Sequence, residues 1–333
     1  MKVAVFSSKP YDREYLACAN AKPGGVAHEL IFYDAPLNPQ TALLARNCGA
    51  VCSFVNDHLD EKVLQELASL GVKLVALRCA GFNQVDIAAA KKLNMTVTRV
   101  ADYSPHAVAE HTLGLIMMLN RNLHRAHNRI RENDYSLNGL LGFDLVNKPV
   151  AVIGTGKIGQ VFAHIMIGIG CNIIAYDVAP NAELLQKGVS YLPLDELWPQ
   201  ADIISLHCPL CPETRHLINA NTIARMKTGV MLINTGRGAL IDTPAVIDGL
   251  KTRKIGYLGL DVYEEESELF FEDQSNQLLQ DDVFARLLTF PNVVITGHQA
   301  FFTREALTAI SDITLANISH FERGELNQMC LVT

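Results

Sequence analysis

Short apolar runs and longer amphipathic stretches alternate along the first hundred residues. Five runs rich in β-branched and apolar residues predict strands at 3–6, 30–33, 50–54, 74–78 and 96–100. Between them, the spacing of apolar residues over 60–70 and 85–93 predicts helices. Strands that alternate with helices are typical of an α/β unit built on a parallel sheet.

The same alternation returns after residue 149. Apolar runs predict six strands, at 150–153, 173–176, 203–206, 230–234, 257–261 and 293–296, and helical patterns separate most of them. Strands joined by such crossovers fit a doubly wound parallel sheet. We therefore predict an α/β fold with two doubly wound parallel-sheet domains, the second of which is the larger.

A predicted helix joins the two halves of this pattern. Ser104 and Pro105 suit its N-cap and first turn, and its middle, 113–119, is apolar on nearly every side. We predict that this helix is the longest of the chain and that it is buried all round, at a domain boundary or a subunit interface. A last helix is predicted over 303–323.

The predicted strand at 150–153 runs into three glycines with the spacing G-x-G-x-x-G. Gly154 allows a tight turn out of the strand, Gly156 leaves room for phosphate groups, and Gly159 lets the following helix pack on the sheet. A pyrophosphate held by this loop lies at the positive end of the helix dipole. The motif therefore predicts a dinucleotide-binding unit.

Asp177 indicates which dinucleotide binds. It ends the next predicted strand, 18 positions after Gly159 (177 minus 159), where a carboxylate accepts hydrogen bonds from the ribose hydroxyls of adenosine. Its charge repels a 2′-phosphate, and residues 178–180 contain no arginine to hold one. The sequence predicts NAD in preference to NADP.

Three polar residues follow late predicted strands: Arg237, Glu266 and His298. Because the carboxyl ends of parallel strands meet at one edge of the sheet, we expect these side chains to converge. Arginine binds a carboxylate through two parallel hydrogen bonds, histidine exchanges a proton near neutral pH, and a neighbouring glutamate favours the protonated imidazole. With a nicotinamide, these groups predict hydride transfer to the carbonyl of a 2-oxo acid, with His298 supplying the proton.

Composition narrows the class of protein. The chain has 333 residues, 49% of them hydrophobic, and a net charge of −7 without a block of like charge, which argues against a nucleic acid or an anionic membrane as partner. The apolar opening is too short for a secretory signal, and no stretch approaches a membrane span. We therefore expect a cytoplasmic protein, and the eight cysteines fit that compartment if they are reduced and mostly core residues.

Two spacings resemble metal-binding patterns, and we expect no metal at either. Cys208 and Cys211 form a C-x-x-C without a second such pair, and we interpret them as part of a loop after the strand 203–206. His124 and His127 lie near the end of the predicted joining helix, where histidines commonly interact with the negative helix end.

Together these motifs resemble those of the D-isomer-specific 2-hydroxyacid dehydrogenases. The resemblance covers almost the whole chain, through the stretches 77–86, 103–110, 154–159, 206–214, 234–242, 261–266 and 297–301. It implies a substrate domain formed by 1–101 and 299–333, with a Rossmann NAD-binding domain, 102–298, inserted between the two parts. It also implies a homo-oligomer, with dimer and tetramer both open.

The resemblance assigns roles to individual residues. It implies Arg237 as the carboxylate-binding arginine, His298 as the acid/base, and Glu266, the third of three successive acids, as the partner of His298. On the substrate side it also implies the backbone amides around Cys79 and Ala80 and a pocket lined by Tyr103 and Phe301. Along the cofactor, besides the glycines, Asp177 and Arg237, it implies Lys157, Ile158, Cys208, Pro209, Thr214, Thr235, Gly236 and Asp261.

A pocket walled by Tyr103 and Phe301 has room for a small apolar group, which suits the methyl group of pyruvate better than a second carboxylate. We therefore predict NADH-dependent reduction of pyruvate to D-lactate, the D configuration being implied by the resemblance alone. One methylene changes binding by about 1 to 3 kcal/mol, so we expect related 2-oxo acids to react as well. Two alternatives stay open: a dehydrogenase for glyoxylate, glycerate, hydroxypyruvate or a longer 2-hydroxyacid, and a non-catalytic NAD sensor.

Overall fold

The structure is a computed structural model, which describes residues 1–23, 26–266 and 269–332. The chain forms two compact units. The first comprises Met1–Ser104 and Phe302–Thr333, and the second comprises Pro105–Phe301. Each unit contains its own parallel sheet, so the predicted α/β class with two parallel-sheet domains is confirmed.

The first unit is built on a five-stranded sheet in the order β2-β1-β3-β4-β5. Its strands are β1 (Lys2–Val5), β2 (Glu29–Phe32), β3 (Ala50–Ser53), β4 (Leu74–Leu77) and β5 (Thr96–Thr98). Its α-helices are α1 (Pro10–Asn20), α2 (Glu61–Ser69), α3 (Ile87–Lys92) and α12 (Arg304–Arg323). The five strands lie where the sequence predicts them, whereas α1 is absent from the prediction because its apolar residues form only a weak stripe.

The core of the first unit explains why its strands are so uniformly apolar. Every residue of β3 and β4 is buried, as expected for central strands of a parallel sheet that is covered on both faces. Val3 and Val5 of β1 share one hydrophobic cluster with Leu16 of α1 and with Leu315 and Ile318 of α12. The last helix of the chain therefore completes the core of the unit that the first residues begin.

The second unit is built on a seven-stranded parallel sheet in the order β12-β11-β10-β9-β6-β7-β8. Its strands are β6 (Pro149–Ile153), β7 (Asn172–Tyr176), β8 (Ser190–Tyr191), β9 (Ile203–Leu206), β10 (Val230–Asn234), β11 (Ile255–Leu260) and β12 (Val293–Ile295). Its α-helices are α4 (Pro105–Asn120), α5 (Leu123–Arg131), α6 (Lys157–Ile169), α7 (Ala182–Gln186), α8 (Leu194–Leu197), α9 (Ala220–Arg225), α10 (Thr243–Lys251) and α11 (Asp282–Leu288). The six predicted strands are present, and β8 is too short to leave a sequence pattern.

Predictions about the joining helix are partly wrong. It begins at Pro105 as predicted, but α4 has 16 residues and α12 has 20, so α4 is not the longest helix. It is also not buried all round, since Ile116 is buried but Met117 is only partly buried and Gly114 is exposed. His124 and His127 lie in the separate helix α5.

Candidate active site

The strand order of the second sheet reverses beside β6. Counted from β6, the order is 3-2-1-4-5-6 with one more strand added at the far edge. Open sheets of this kind bind dinucleotides outside the carboxyl ends of the strands, at the point of reversal. The predicted site residues of this unit lie in the loops or first helical turns that follow β6, β7, β9, β10, β11 and β12.

The loop between β6 and α6 leaves no room for side chains at two of its three glycines. Gly154 has a φ of 92°, and a Cβ there would lie 2.5 Å from the backbone nitrogen of Cys208. A Cβ on Gly159 would overlap the carbonyl oxygen of Gly154. These two glycines therefore allow α6 to start directly against the end of β6 and beside the loop after β9.

The start of α6 fits a dinucleotide pyrophosphate. Gly156 is exposed at the N-cap position, and within the described part of the chain no side chain caps it. A Cβ on Gly156 would meet no described heavy atom within 4 Å, so the loop is open on this side. Lys157 and Ile158 form the first turn of the helix, where the positive end of the dipole favours an anion.

Asp177 follows β7 and is joined to the glycine loop by hydrogen bonds. Its Oδ2 accepts from the backbone nitrogen and the hydroxyl of Thr155, at 2.6 and 3.1 Å, and its Oδ1 accepts from the backbone nitrogen of Ala179 at 3.0 Å. Partial burial acts to raise the pKa of Asp177, but the hydrogen bonds outweigh it and hold the pKa below its usual value. An ionised carboxylate at this position suits ribose hydroxyls and opposes a 2′-phosphate.

The loop after β9 is compact and carries Cys208, Pro209 and Thr214. The Thr214 hydroxyl donates to the carbonyl of Pro209 at 2.7 Å and accepts from the backbone nitrogen of Cys211 at 2.8 Å. Burial raises the pKa of the Cys208 thiol to about 11, so the reactive thiolate is scarce near neutral pH. All eight cysteines of the chain are free thiols.

Asn234, the last residue of β10, shapes the turn that carries Thr235, Gly236 and Arg237. The Asn234 side chain is fully buried, and its Oδ1 accepts from the backbone nitrogen of Gly236 at 3.0 Å. Its Nδ2 donates to the carbonyl of Arg237 at 2.8 Å. Arg237 is half-buried, and its Nη1 donates to the carbonyl of Gly236 at 2.8 Å. The turn therefore holds the arginine at the edge of the sheet.

The three successive acids after β11 have different surroundings. Glu264 pairs with His216 from the loop after β9, at 3.0 Å. Glu265 is exposed. Glu266 is the acid that contacts His298. Tertiary contacts thus separate three residues that are alike in sequence.

Glu266 and His298 are joined by a short hydrogen bond. Glu266 Oε1 lies 2.8 Å from His298 Nδ1, and the two side chains are 23% and 21% exposed. Glu266 Oε2 accepts from the backbone nitrogen of Tyr263 at 2.9 Å, which fixes the carboxylate. Since Nδ1 is engaged, Nε2 is the ring atom suited to exchange a proton with a substrate.

The backbone of His298 has a φ of 51°, which is an unfavourable conformation for a residue other than glycine. Asp261, which is fully buried, contacts this segment. Its carbonyl accepts from the His298 backbone nitrogen at 2.7 Å, and its carboxylate accepts from those of Gln299 and Ala300 at 2.9 and 2.8 Å. Burial acts to raise the pKa of Asp261, but hydrogen bonds hold it below its usual value.

The remaining predicted residues belong to two different units. Cys79 and Ala80 follow β4 in the first unit, where Cys79 is buried and the Ala80 carbonyl accepts from Arg99 at 3.1 Å. Tyr103 also belongs to the first unit and Phe301 to the second, and both are half-buried. Their part in substrate binding stays a prediction, as does the approach of Asp261 to the nicotinamide.

Several residues around the site are missing from the sequence prediction. Asn234 has a recognisable signal, because asparagine two residues before glycine is typical of a turn that its own side chain stabilises. His111 and Thr296, which contact Asp261, have no such signal, because they lie 185 positions apart in the chain. Contacts of that length follow from the fold and not from local sequence.

The described residues show neither a metal-binding cluster nor a membrane-spanning helix. Among them, no group of three or more histidine, cysteine, aspartate or glutamate side chains is arranged to hold a metal ion. Among the helices in the same ranges, none combines the length and the apolar character that crossing a bilayer requires.

Known proteins resemble this chain over nearly its full length. The family model described as "D-isomer specific 2-hydroxyacid dehydrogenase, NAD binding domain" matches residues 113–300. The chain is 54% identical over 326 residues to a 2-hydroxyacid dehydrogenase homolog of Haemophilus influenzae and 53% identical over 325 residues to the D-lactate dehydrogenase of Escherichia coli, and each alignment covers 98% of both proteins. The apo-structure of the Escherichia coli D-lactate dehydrogenase matches with a TM-score of 0.90 and 49% identity, over 100% of both chains.

Proposed function

We propose that this chain, which belongs to the family of D-isomer-specific 2-hydroxyacid dehydrogenases, reduces pyruvate to D-lactate with NADH and catalyses the reverse reaction. The observation that carries the proposal is the 2.8 Å contact between Glu266 Oε1 and His298 Nδ1, at the sheet edge that also bears the glycine loop and Arg237. A histidine that transfers a proton, a carboxylate that orients it and an arginine that binds the substrate carboxylate suit this reduction.

The reaction assigns one task to each of these side chains. Arg237 binds the carboxylate of the 2-oxo acid through its guanidinium and stays charged at any working pH. His298, protonated, donates from Nε2 to the carbonyl oxygen as that oxygen gains negative charge, and it takes the proton back in lactate oxidation. Glu266 Oε1 lies 2.8 Å from Nδ1 and keeps the ring oriented so that Nε2 faces the substrate side.

The family model that matches residues 113–300 describes an NAD-binding domain, and the residues of the second unit fit NAD. The glycine loop and the start of α6 would hold the pyrophosphate, and Asp177 would accept hydrogen bonds from the adenosine ribose. When bound, the nicotinamide supplies or accepts the hydride. The loop of Cys208, Pro209 and Thr214 and the turn of Thr235 and Gly236 are proposed to line the cofactor.

The experiment that tests the function is NADH oxidation with purified protein and four substrates in parallel: pyruvate, glyoxylate, hydroxypyruvate and 2-oxobutyrate. We expect the highest kcat/KM with pyruvate and D-lactate as the product in chiral chromatography. A preference for hydroxypyruvate or glyoxylate would assign the chain to another reductase of the same family. NADH binding without turnover of any 2-oxo acid would instead indicate a sensor.

Variants test the site residues. We expect His298→Ala to lower kcat on the order of a hundred- to ten-thousandfold while NADH still binds, because a general acid contributes that much. Glu266→Gln should also lower kcat, whereas Glu265→Gln, at the adjacent exposed position, should leave it unchanged. Equal activity of the two glutamine variants would remove Glu266 from the proposed site.

We propose that the protein is a homo-oligomer. Exposed apolar side chains cluster in sequence on α5 and the segment after it, at Leu123, Ile130, Leu137 and Leu141. Exposed apolar side chains that lie together on a surface are typical of sites that a partner covers. Light scattering during gel filtration distinguishes monomer, dimer and tetramer.

A cytoplasmic location stays a prediction that cell fractionation would check.

A further inference from the structure

Helix α4 contacts the ends of neighbouring strands of the second sheet. The Thr112 hydroxyl lies 2.9 Å from that of Thr235, just after β10. One residue earlier, His111 Nε2 lies 3.0 Å from the hydroxyl of Thr296, just after β12, and 3.4 Å from Oδ1 of Asp261, just after β11. His111 therefore joins the strand end that leads to Glu266 with the one that leads to His298.

These hydrogen bonds determine the role of the His111 ring nitrogen. Thr296 donates its hydroxyl proton to Oδ1 of Asp261, at 2.5 Å, so the Thr296 oxygen is an acceptor toward His111. The Asp261 carboxylate is an acceptor as well. With two acceptors in reach, Nε2 of His111 acts as a donor, whether the ring is neutral or charged.

The same carboxylate holds the segment that begins at His298. Asp261 accepts from the backbone nitrogens of Gln299 and Ala300, and its own carbonyl accepts from that of His298. Asp261 has no exposed surface, so bulk water cannot replace a donor that is lost. Because the left-handed backbone of His298 is unfavourable by itself, it depends on these contacts.

We propose that His111 is a positioning residue for the histidine that transfers the proton. By donating to Thr296 and Asp261, it fixes the buried carboxylate, which in turn fixes the backbone of 298–300 and the direction in which His298 presents Nε2. The inference rests on the proposed function, and it assigns no chemical step to His111 itself.

The test compares two substitutions in the full chain. Phenylalanine at 111 keeps a ring but no donor, whereas glutamine offers an amide N–H near the place of Nε2. We expect His111→Phe to lower kcat for pyruvate roughly ten- to a hundredfold, because small misplacements of catalytic groups have effects of that size. The Kd for NADH, from fluorescence titration, should stay within about twofold, and His111→Gln should recover most of kcat.

A control variant and a second pair of substitutions ensure that the conclusion does not depend on His111→Phe alone. His106→Phe changes an exposed histidine of the same helix and should keep the wild-type kcat. Thr296→Val removes the hydroxyl between His111 and Asp261 and should lower kcat as His111→Phe does, whereas Thr296→Ser should not. The double variant should lose less than the product of the two single losses, since both act on one network.

The outcomes separate this inference from the proposed function. Wild-type turnover of pyruvate together with unchanged kcat in His111→Phe and Thr296→Val overturns the inference alone. The inference is also overturned if His111→Gln fails to restore kcat and the His111 variants bind NADH more weakly than the wild type. That pattern indicates general disruption of the domain. Absence of turnover in the wild type overturns the proposed function and the inference with it.

Discussion

Two histidines that follow strand ends of the second sheet are both half-buried but have different partners. His298 is 21% exposed and has a carboxylate 2.8 Å from Nδ1, an arrangement suited to proton exchange. His207 has its Nε2 2.8 Å from the hydroxyl of Ser205, and its ring centre lies 5.0 Å from that of Phe162. Burial lowers the pKa of His207 to about 3, so this side chain is neutral at ordinary pH. The residue type is the same, and the environment decides its chemistry.

His207 should make stability depend on pH. Its folded pKa of about 3 lies below the ordinary value of 6.5, so the unfolded state binds the proton more readily. Stability from this group is therefore complete above pH 6.5 and decreases as the pH falls toward 3. His207 is only half-buried, so between pH 7 and pH 5 we expect it to lower the free energy of unfolding in urea by at most about 2 kcal/mol. His207→Gln should remove that component of the slope, and His58→Gln, at an exposed position, should retain it. Parallel slopes in all three proteins would contradict the assignment.

At the scale of single elements, α6 shows how glycine can be required at one position and unfavourable at another. Gly159, in the first turn, lies against the carbonyl oxygen of Gly154, so any side chain there displaces the helix from β6. Gly168, in the last turn, is exposed, and no described heavy atom outside the helix lies within 4 Å of the place of its Cβ. The first glycine serves the cofactor loop, while the second only adds freedom to the unfolded chain.

This contrast predicts opposite effects of one substitution in one helix. Gly159→Ala should weaken NADH binding strongly and lower the melting temperature, because α6 must shift away from the strand. Gly168→Ala should raise the free energy of unfolding by about 0.5 to 1 kcal/mol and leave NADH binding unchanged. Calorimetry and NADH fluorescence titration measure both effects. Tight NADH binding by Gly159→Ala would show that the loop tolerates a side chain there.

At the scale of the whole molecule, the two units have separate hydrophobic cores. Two clusters, one of which includes Leu232 and the other Phe162, lie entirely within Pro105–Phe301. Two others, which include Leu64 and Ile318, lie in the first and last parts of the chain. A unit with its own core and a contiguous chain meets the physical requirement for folding alone.

We therefore expect residues 105–301, expressed as a separate polypeptide, to fold cooperatively and to bind NADH. This fragment should not reduce pyruvate, because it lacks Cys79, Ala80 and Tyr103, which are predicted to bind the substrate. Circular dichroism, thermal unfolding and NADH titration test these points, with Asp177→Ala in the fragment as a control for specific binding. A fragment that aggregates or does not bind NADH would show that the second unit requires the first in order to fold.

Much of the fold and site follows from local sequence. The strands, the glycine loop and Asp177 are predictable because each depends on neighbouring residues: alternation of apolar runs, a turn that only glycine permits, and the end of the next strand. Arg237 and His298 are also predictable as site candidates, because parallel strands bring their carboxyl ends to one edge. The short β8, the true length of α4 and its partial exposure are not, since they depend on what packs against them.

The family motif points to Glu266 as the partner of His298, but only the tertiary structure decided what distinguishes this acid from its two neighbours and what holds the histidine. Glu264, Glu265 and Glu266 are three successive residues of one type. Their environments differ because distant histidines contact two of them: His216 contacts Glu264, and His298 contacts Glu266. The contact of His111 with Thr296 spans 185 positions, and that of Asp261 with Ala300 spans 39. Local sequence determined the elements and the kinds of chemistry they carry, whereas the side-chain partners were decided by long-range packing, which no local pattern encodes.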